Sequence, residues 1–228
     1  MVIKDRNTLV AVGVALFFIG VSLYVANIGE NSGGNGEKTV SLGNERAYIP
    51  ERESPALGKN DAKAVLVEFS DFQCPHCATF HFGAGAVIFD RYIKTGQVKM
   101  IYKHFPLLGE ESYAAAYASE CAREQGKFWE YHDALFDQQA RAPGENSGTF
   151  SVSNLIGYAQ RTGLNSDVFA QCLHSEKYKE RVARDIEDGK SAQVTGTPAI
   201  FIQGKRIDGA AAFSEYQRLI EEALQNNK

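Results

Sequence analysis

The sequence predicts an α/β domain that carries a long helical insertion and is preceded by an N-terminal transmembrane helix. Three observations carry this. A short apolar strand at residues 64–69 runs through Cys74-Pro75-His76-Cys77 into a helical face. Helical periodicity then dominates from about residue 110 to 193, after a second strand. Finally, the chain closes with a hairpin and an amphipathic helix.

Size and charge set the frame. At 228 residues there is room for one domain plus an appendage, and 44% hydrophobic residues can build a sizeable core. A net charge of −4 leaves no basic footprint, which excludes nucleic acid as a partner. Four cysteines are too few for a disulfide-dense scaffold.

Taken in order, Lys4 and Arg6 precede residues 8–28, 21 residues without a charge and long enough to cross the hydrocarbon core. The run exceeds the apolar region of a signal peptide, and no A-x-A cleavage site follows, so an uncleaved anchor is favoured over a cleaved signal. Basic residues before it and Glu30 and Glu37 after it place a short tail in the cytoplasm and the domain on the extracytoplasmic side of the cell membrane. Residues 29–55 read as a flexible tether, with Gly33, Gly34 and Gly36 among Asn, Ser and Glu. Nothing there resembles a dimerisation module, and a monomer is expected.

The domain proper is assigned to residues 56–228. After the first strand, Phe80, Ala84, Val87 and Ile88 share one helix face. Gly83 and Gly85 interrupt that helix, each at a cost of roughly 1 kcal/mol, so a bend is expected. A second strand at 97–103 contains Val98, Met100 and Ile101. Helices are then predicted at 113–121, 128–138, 151–162, 166–173 and 175–193, with Pro143, Gly144 and Gly148 in a loop between the second and third. Strands at 199–203 and 206–208 turn at Gln203-Gly204. The last helix, 213–225, aligns Tyr216, Leu219, Ile220 and Ala223.

The chemistry concentrates at the CxxC. Two thiols at that spacing can close into a disulfide ring and reopen, and Cys74 stands where strand becomes helix. Pro75 suits the first helical position. The free N–H groups and positive dipole end there favour a thiolate at Cys74, and a protonated His76 adds to the effect. Cys77, deeper in the helix, is the intramolecular partner. A zinc half-site is the competing reading, but a closed site needs four ligands, and Cys121 and Cys172 are solitary. A structural 74–77 bond gains little from so small a loop. Glu68, on an otherwise apolar strand, is either an exposed edge carboxylate or a buried acid beneath the CxxC. Asp71 reads as a solvated turn charge, and His81 as a residue of the helix surface. His104, His132 and His174 lack ligand-like spacing and read as ordinary surface or satisfied polar residues. Trp129 is either core packing or part of the active-site rim.

Three segments carry a family resemblance: Val67-Glu68-Phe69-Ser70-Asp71-Phe72-Gln73-Cys74-Pro75-His76-Cys77, Gly126-Lys127-Phe128-Trp129 and Val194-Thr195-Gly196-Thr197-Pro198-Ala199. Across roughly residues 55–228 the chain resembles the DsbA family of thioredoxin-fold thiol oxidases, in particular its membrane-tethered, single-domain members. The resemblance implies a thioredoxin fold with a helical insertion. It implies a cis-proline at Pro198 facing the CxxC, against the alternative of a trans turn proline. It makes Glu68 a buried acid that assists proton transfer near Cys77. It implies no cofactor beyond the Cys74–Cys77 disulfide and assigns no metal. The implied partners are reduced secreted or surface proteins and a quinone-coupled membrane protein that restores the disulfide. Some relatives carry a second disulfide in the helical block, which points to a Cys121–Cys172 bond over two free thiols. Thr197 before the proline also resembles the disulfide isomerases, which are dimers with an added dimerisation domain. An isomerase or reductase therefore stands as the alternative within the fold, and a chaperone-like or metal-handling module outside it.

Overall fold

The computed structural model describes residues 46–226. The expected membrane helix at 8–28 and the tether as far as residue 45 lie outside the described residues. Among the described residues, no helix is long and apolar enough to cross a membrane.

The predicted strands assemble into one sheet. Its strands are β1 (Ala56–Leu57), β2 (Ala64–Ser70), β3 (Val98–His104), β4 (Ala199–Ile202) and β5 (Lys205–Asp208), in the spatial order β1-β3-β2-β4-β5. β2 pairs parallel to β3 and antiparallel to β4, so the strand that leads into the CxxC is central. Its residues from Leu66 to Ser70 are buried on both faces, which explains why it is apolar apart from Glu68 and Ser70.

The helix after β2 is broken as Gly83 and Gly85 suggested. α1 (Pro75–Phe80) passes through a π-helical stretch, His81–Gly85, in which Gly83 leaves helical geometry at φ −98°, ψ −106°. α2 (Ala86–Ile88) follows, then a second π-helical stretch, Phe89–Ile93. The insertion comprises α3 (Glu110–Glu124), α4 (Phe128–Gln139), α5 (Val152–Arg161), α6 (Ser166–Ser175) and α7 (Lys179–Ser191). α8 (Phe213–Asn226) closes the chain.

Side-chain alternation sorts the sheet into two faces. Ala64 and Leu66 of β2 with Ile200 and Ile202 of β4 receive Tyr216, Leu219 and Ile220 of α8 and Phe80 of α1. Val67, Phe69 and Phe201 point the other way, onto Phe105 and Val194. Gly189 on α7 is required there, because a Cβ at that position would sit 2.6 Å from the Phe105 ring. A third cluster fills the helical block: Phe72, Tyr102, Phe128, Tyr131, Leu135, Phe136, Phe150, Leu155 and Phe169. It reaches Cys74 and Cys77, so the block and the CxxC share one apolar core. Within it, Cys121 on α3 and Cys172 on α6 are joined by a disulfide with Cα atoms 5.8 Å apart.

Two features differ from expectation. The packed domain starts before residue 56. Ala47 N donates to Gly204 O at 3.1 Å, Arg52 chelates Asp188 at 2.8–3.2 Å, and Glu51 and Glu53 pair with Lys99 and Arg181. Residues 46–55 are thus fastened by charges that sequence composition reads as tether. The two-residue strand β1 also went unseen, being too short to show a period; it pairs antiparallel with β3 at Ile101 and Met100. Beneath the strap, Lys103 is fully buried and bonds Asp185 and Asp188, each at 3.0 Å. A buried cation needs that pairing.

Candidate active site

Cys74 occupies the cap position of α1, with extended backbone angles and Pro75 as the first helical residue. Its N–H bonds Asp71 O at 3.0 Å, which closes the turn out of β2. The loop after α7 arrives opposite. There the Thr197–Pro198 peptide is cis, and the Thr197 carbonyl oxygen lies 3.3 Å from Cys74 Sγ, where it accepts the thiol proton. Cys74 is 6% exposed and Cys77 0%, so only the first thiol has an opening to solvent. Both are free thiols.

The environment splits the two thiols. Cys74 is lowered to about 6: the Cys77 side chain bonds it, the Thr197 side chain and the backbone N–H groups of Cys77 and His76 do likewise, and partial burial only partly opposes them. Cys77 is pushed well up, chiefly by burial and then by its thiol's bond to Cys74. His76 contributes its backbone N–H, and its own side chain is exposed.

Glu68 is buried at 2% exposure on central β2, not on an edge. Desolvation raises its carboxyl to about 8, against a lowering contact with Ser70. Ser70, two residues on along the same strand face, lies near Cys77 and Tyr102. Tyr102 stands directly beside Glu68 in the β2–β3 register. Glu68 Oε1, Ser70 Oγ and Tyr102 Oη are all buried without a hydrogen-bond partner among the described residues. They are a set of polar groups poised at the rear of the CxxC. Sequence reading found Glu68 and missed the other two, although Ser70 was legible from strand alternation.

Asp71 is a correction. It is buried, not a solvated charge. Its carboxylate accepts from Gln73 N at 2.8 Å, Leu107 N at 2.7 Å and Leu108 N at 3.1 Å. Turned inward, it satisfies three backbone N–H groups of the surrounding loops. Gln73 extends the tie by donating to Leu108 O and Ser112 Oγ and accepting from Asn146 N. The active-site turn is therefore bolted to the start of the helical block.

Among the histidines, His81 departs from expectation, while His104 and His132 are polar residues with carboxylate partners. His81 is half-buried and faces α4, where its ring lies 5.1 Å from that of His132. His132 is buried and bonds Asp133 at 2.9 Å, and His104 is buried against Glu120 at 3.2 Å. Burial pushes His81 down to about 4 and lowers His132 also. Both line a cavity of about 330 Å³ beside the CxxC helix. Glu68, Phe80, Phe82, Met100 and Trp129 line it too. Trp129 belongs to this wall and donates its indole N–H to Ala56 O at 3.2 Å.

Comparison with known proteins places this arrangement. The thioredoxin family profile matches residues 51–222. The chain is 30% identical over 203 residues to the probable disulfide bond formation protein D of Bacillus anthracis, covering 88% of this chain and 90% of that protein. The crystal structure of oxidised BdbD from Bacillus subtilis superposes with a TM-score of 0.73 at 27% identity, over 79% of this chain and 97% of that one. A match to the Na(+)/H(+) antiporter NhaA 1 of Salinispora arenicola is 32% identical over 163 residues, but the chain spans only 23% of that protein's length. A chain with this fold, this match to disulfide bond formation proteins and these paired thiols belongs to the DsbA family of thioredoxin-fold proteins.

Proposed function

We propose that this chain is a dithiol oxidase that introduces disulfide bonds into secreted or surface proteins through the Cys74–Cys77 couple. One observation carries the reading: the two thiols are driven apart, with Cys74 near 6 and Cys77 far above it. In the oxidised enzyme a substrate thiolate attacks Cys74 Sγ. The Cys74–Cys77 bond breaks, and its electron pair goes to Cys77 Sγ. That buried sulfur favours the thiol, so it takes a proton. Glu68, neutral at pH 7, supplies the proton. A second substrate thiolate then attacks the substrate sulfur of the mixed disulfide, and Cys74 leaves as a stable thiolate. The substrate loses two electrons and the enzyme gains them. Pro198 lacks an N–H, so its loop meets the substrate backbone without a competing donor there.

The placement proposed is an uncleaved anchor at residues 8–28, a monomeric domain outside the membrane, and reoxidation by a quinone-coupled membrane protein. The charge asymmetry about residues 8–28 supports it. Thr197 favours one second reading, an isomerase that runs the same exchange among substrate disulfides. The test is to mix stoichiometric oxidised full-length protein with a reduced dithiol protein. Oxidation of the substrate that is lost in Cys74→Ser supports the oxidase. Exchange only among pre-formed substrate disulfides supports the isomerase.

A further inference from the structure

The cavity beside the CxxC helix holds a group of side chains that the thiol chemistry does not use. His81 comes from the π-helical stretch after α1, and His132 and Asp133 from α4. One ligand atom from each lies within 4.8 Å of the others. His132 Nδ1 is 2.9 Å from Asp133 Oδ1, and His81 Nε2 is 3.8 Å from the same oxygen. Donors around a tetrahedral zinc ion are about 3.3 Å apart, given metal–ligand bonds of about 2.0 Å. The observed spacings straddle that value.

His132 is the fixed member of the group. It is 3% exposed and its ring packs among Phe72, Tyr102 and Trp129, which holds Nδ1 toward Asp133. Its other ring nitrogen, Nε2, points away from Asp133, so Nδ1 is the ligand atom it offers. The donor set also selects the ion: two imidazoles and one carboxylate suit zinc-class divalent transition metals, whereas calcium and magnesium take oxygen ligands. Access is open, since the Asp133 side chain is 62% exposed.

We propose that His81, His132 and Asp133 form a binding site for one zinc-class divalent metal ion, which clamps the helix following the CxxC to the helical block. The three side chains supply three ligands, and the cavity leaves the fourth position to water. The site stands apart from the thiol exchange, and its test keeps the two separate. Full-length protein carrying Cys74→Ser and Cys77→Ser has no active-site thiolate to compete for metal. Zinc chloride titrated into it by calorimetry at neutral pH is expected to bind at one ion per chain, in the micromolar range or tighter, and to raise the melting temperature. Cobalt chloride is expected to give the intense visible bands of a tetrahedral site without sulfur charge transfer. Because His132→Ala removes a buried ring and stands to unfold the chain, the decisive variants are His81→Gln and Asp133→Asn on the exposed side of the site. Changing the partner of a ligand alone weakens metal sites by roughly 10- to 100-fold, so losing a ligand should cost roughly 100-fold or more. Binding only in the millimolar range, or affinity equal in the parent and both variants, would overturn the site.

Discussion

Replacing Glu68 with Gln removes a carboxyl buried behind the thiols and keeps its shape. The unfolded chain loses the Glu68 proton near 4.5 and the folded chain near 8. Between those values the folded state holds more protons, so stability falls as pH rises. At about 1.4 kcal/mol per pH unit, the span from 4.5 to about 8 is worth about 5 kcal/mol, and about 3 kcal/mol of it is already lost at pH 7. Glu68→Gln carries no such proton and should be more stable than wild type by that margin at pH 7, with the gap closing toward pH 5. The assay is urea unfolding of both proteins between pH 5 and 9, in the oxidised form so that Cys74 and Cys77 do not titrate. The variant should also regain the Cys77 proton more slowly, seen as slower opening of the disulfide by a small thiol. Stability profiles that run parallel across this range would refute the buried-acid assignment.

Other expectations follow from neighbouring contacts. The reduced protein should show thiolate absorbance with a midpoint near pH 6, and Thr197→Val should move it upward by removing a hydrogen bond to the thiolate. Replacing both Cys121 and Cys172 with Ala opens a loop of 51 residues and should cost about 4 kcal/mol on chain-entropy grounds, measured by denaturant midpoint. Thiol counting after mild reduction should find two free thiols in the unfolded wild type, not four. Gly189→Ala drives a methyl group into the Phe105 ring and should destabilise by about 1–3 kcal/mol, whereas Gly126→Ala, with open space around it, should show only the cost of its positive φ.

What the sequence makes legible here is what local physics decides. The strand before Cys74 is apolar except at Glu68 and Ser70 because it is central and covered on both faces. The helix after it breaks at Gly83, while Gly85 keeps helical angles. The fate of charged residues is not local. Asp71 looks like a turn carboxylate until the 107–108 loop folds over it. Arg52 looks like linker until Asp188 arrives from α7. His81 and His132 are far apart in sequence, so no spacing rule brings them together; only the docking of α4 against the CxxC helix does. Glu68 falls between the two. Its apolar neighbours signal burial, but its relation to Ser70 and Tyr102 depends on strand register.

The central claim is that Cys74 is held as a thiolate strongly enough to make the 74–77 disulfide an oxidant. Each pH unit by which a folded thiol is lowered favours the reduced enzyme, and so raises its reduction potential. The direct measurement is the equilibrium of full-length protein with glutathione redox buffers at pH 7, read by the free thiols of Cys74 and Cys77. The couple should lie well above thioredoxin's roughly −270 mV, toward the range of dedicated oxidants. A value as reducing as thioredoxin's would contradict the account and assign the chain to reduction.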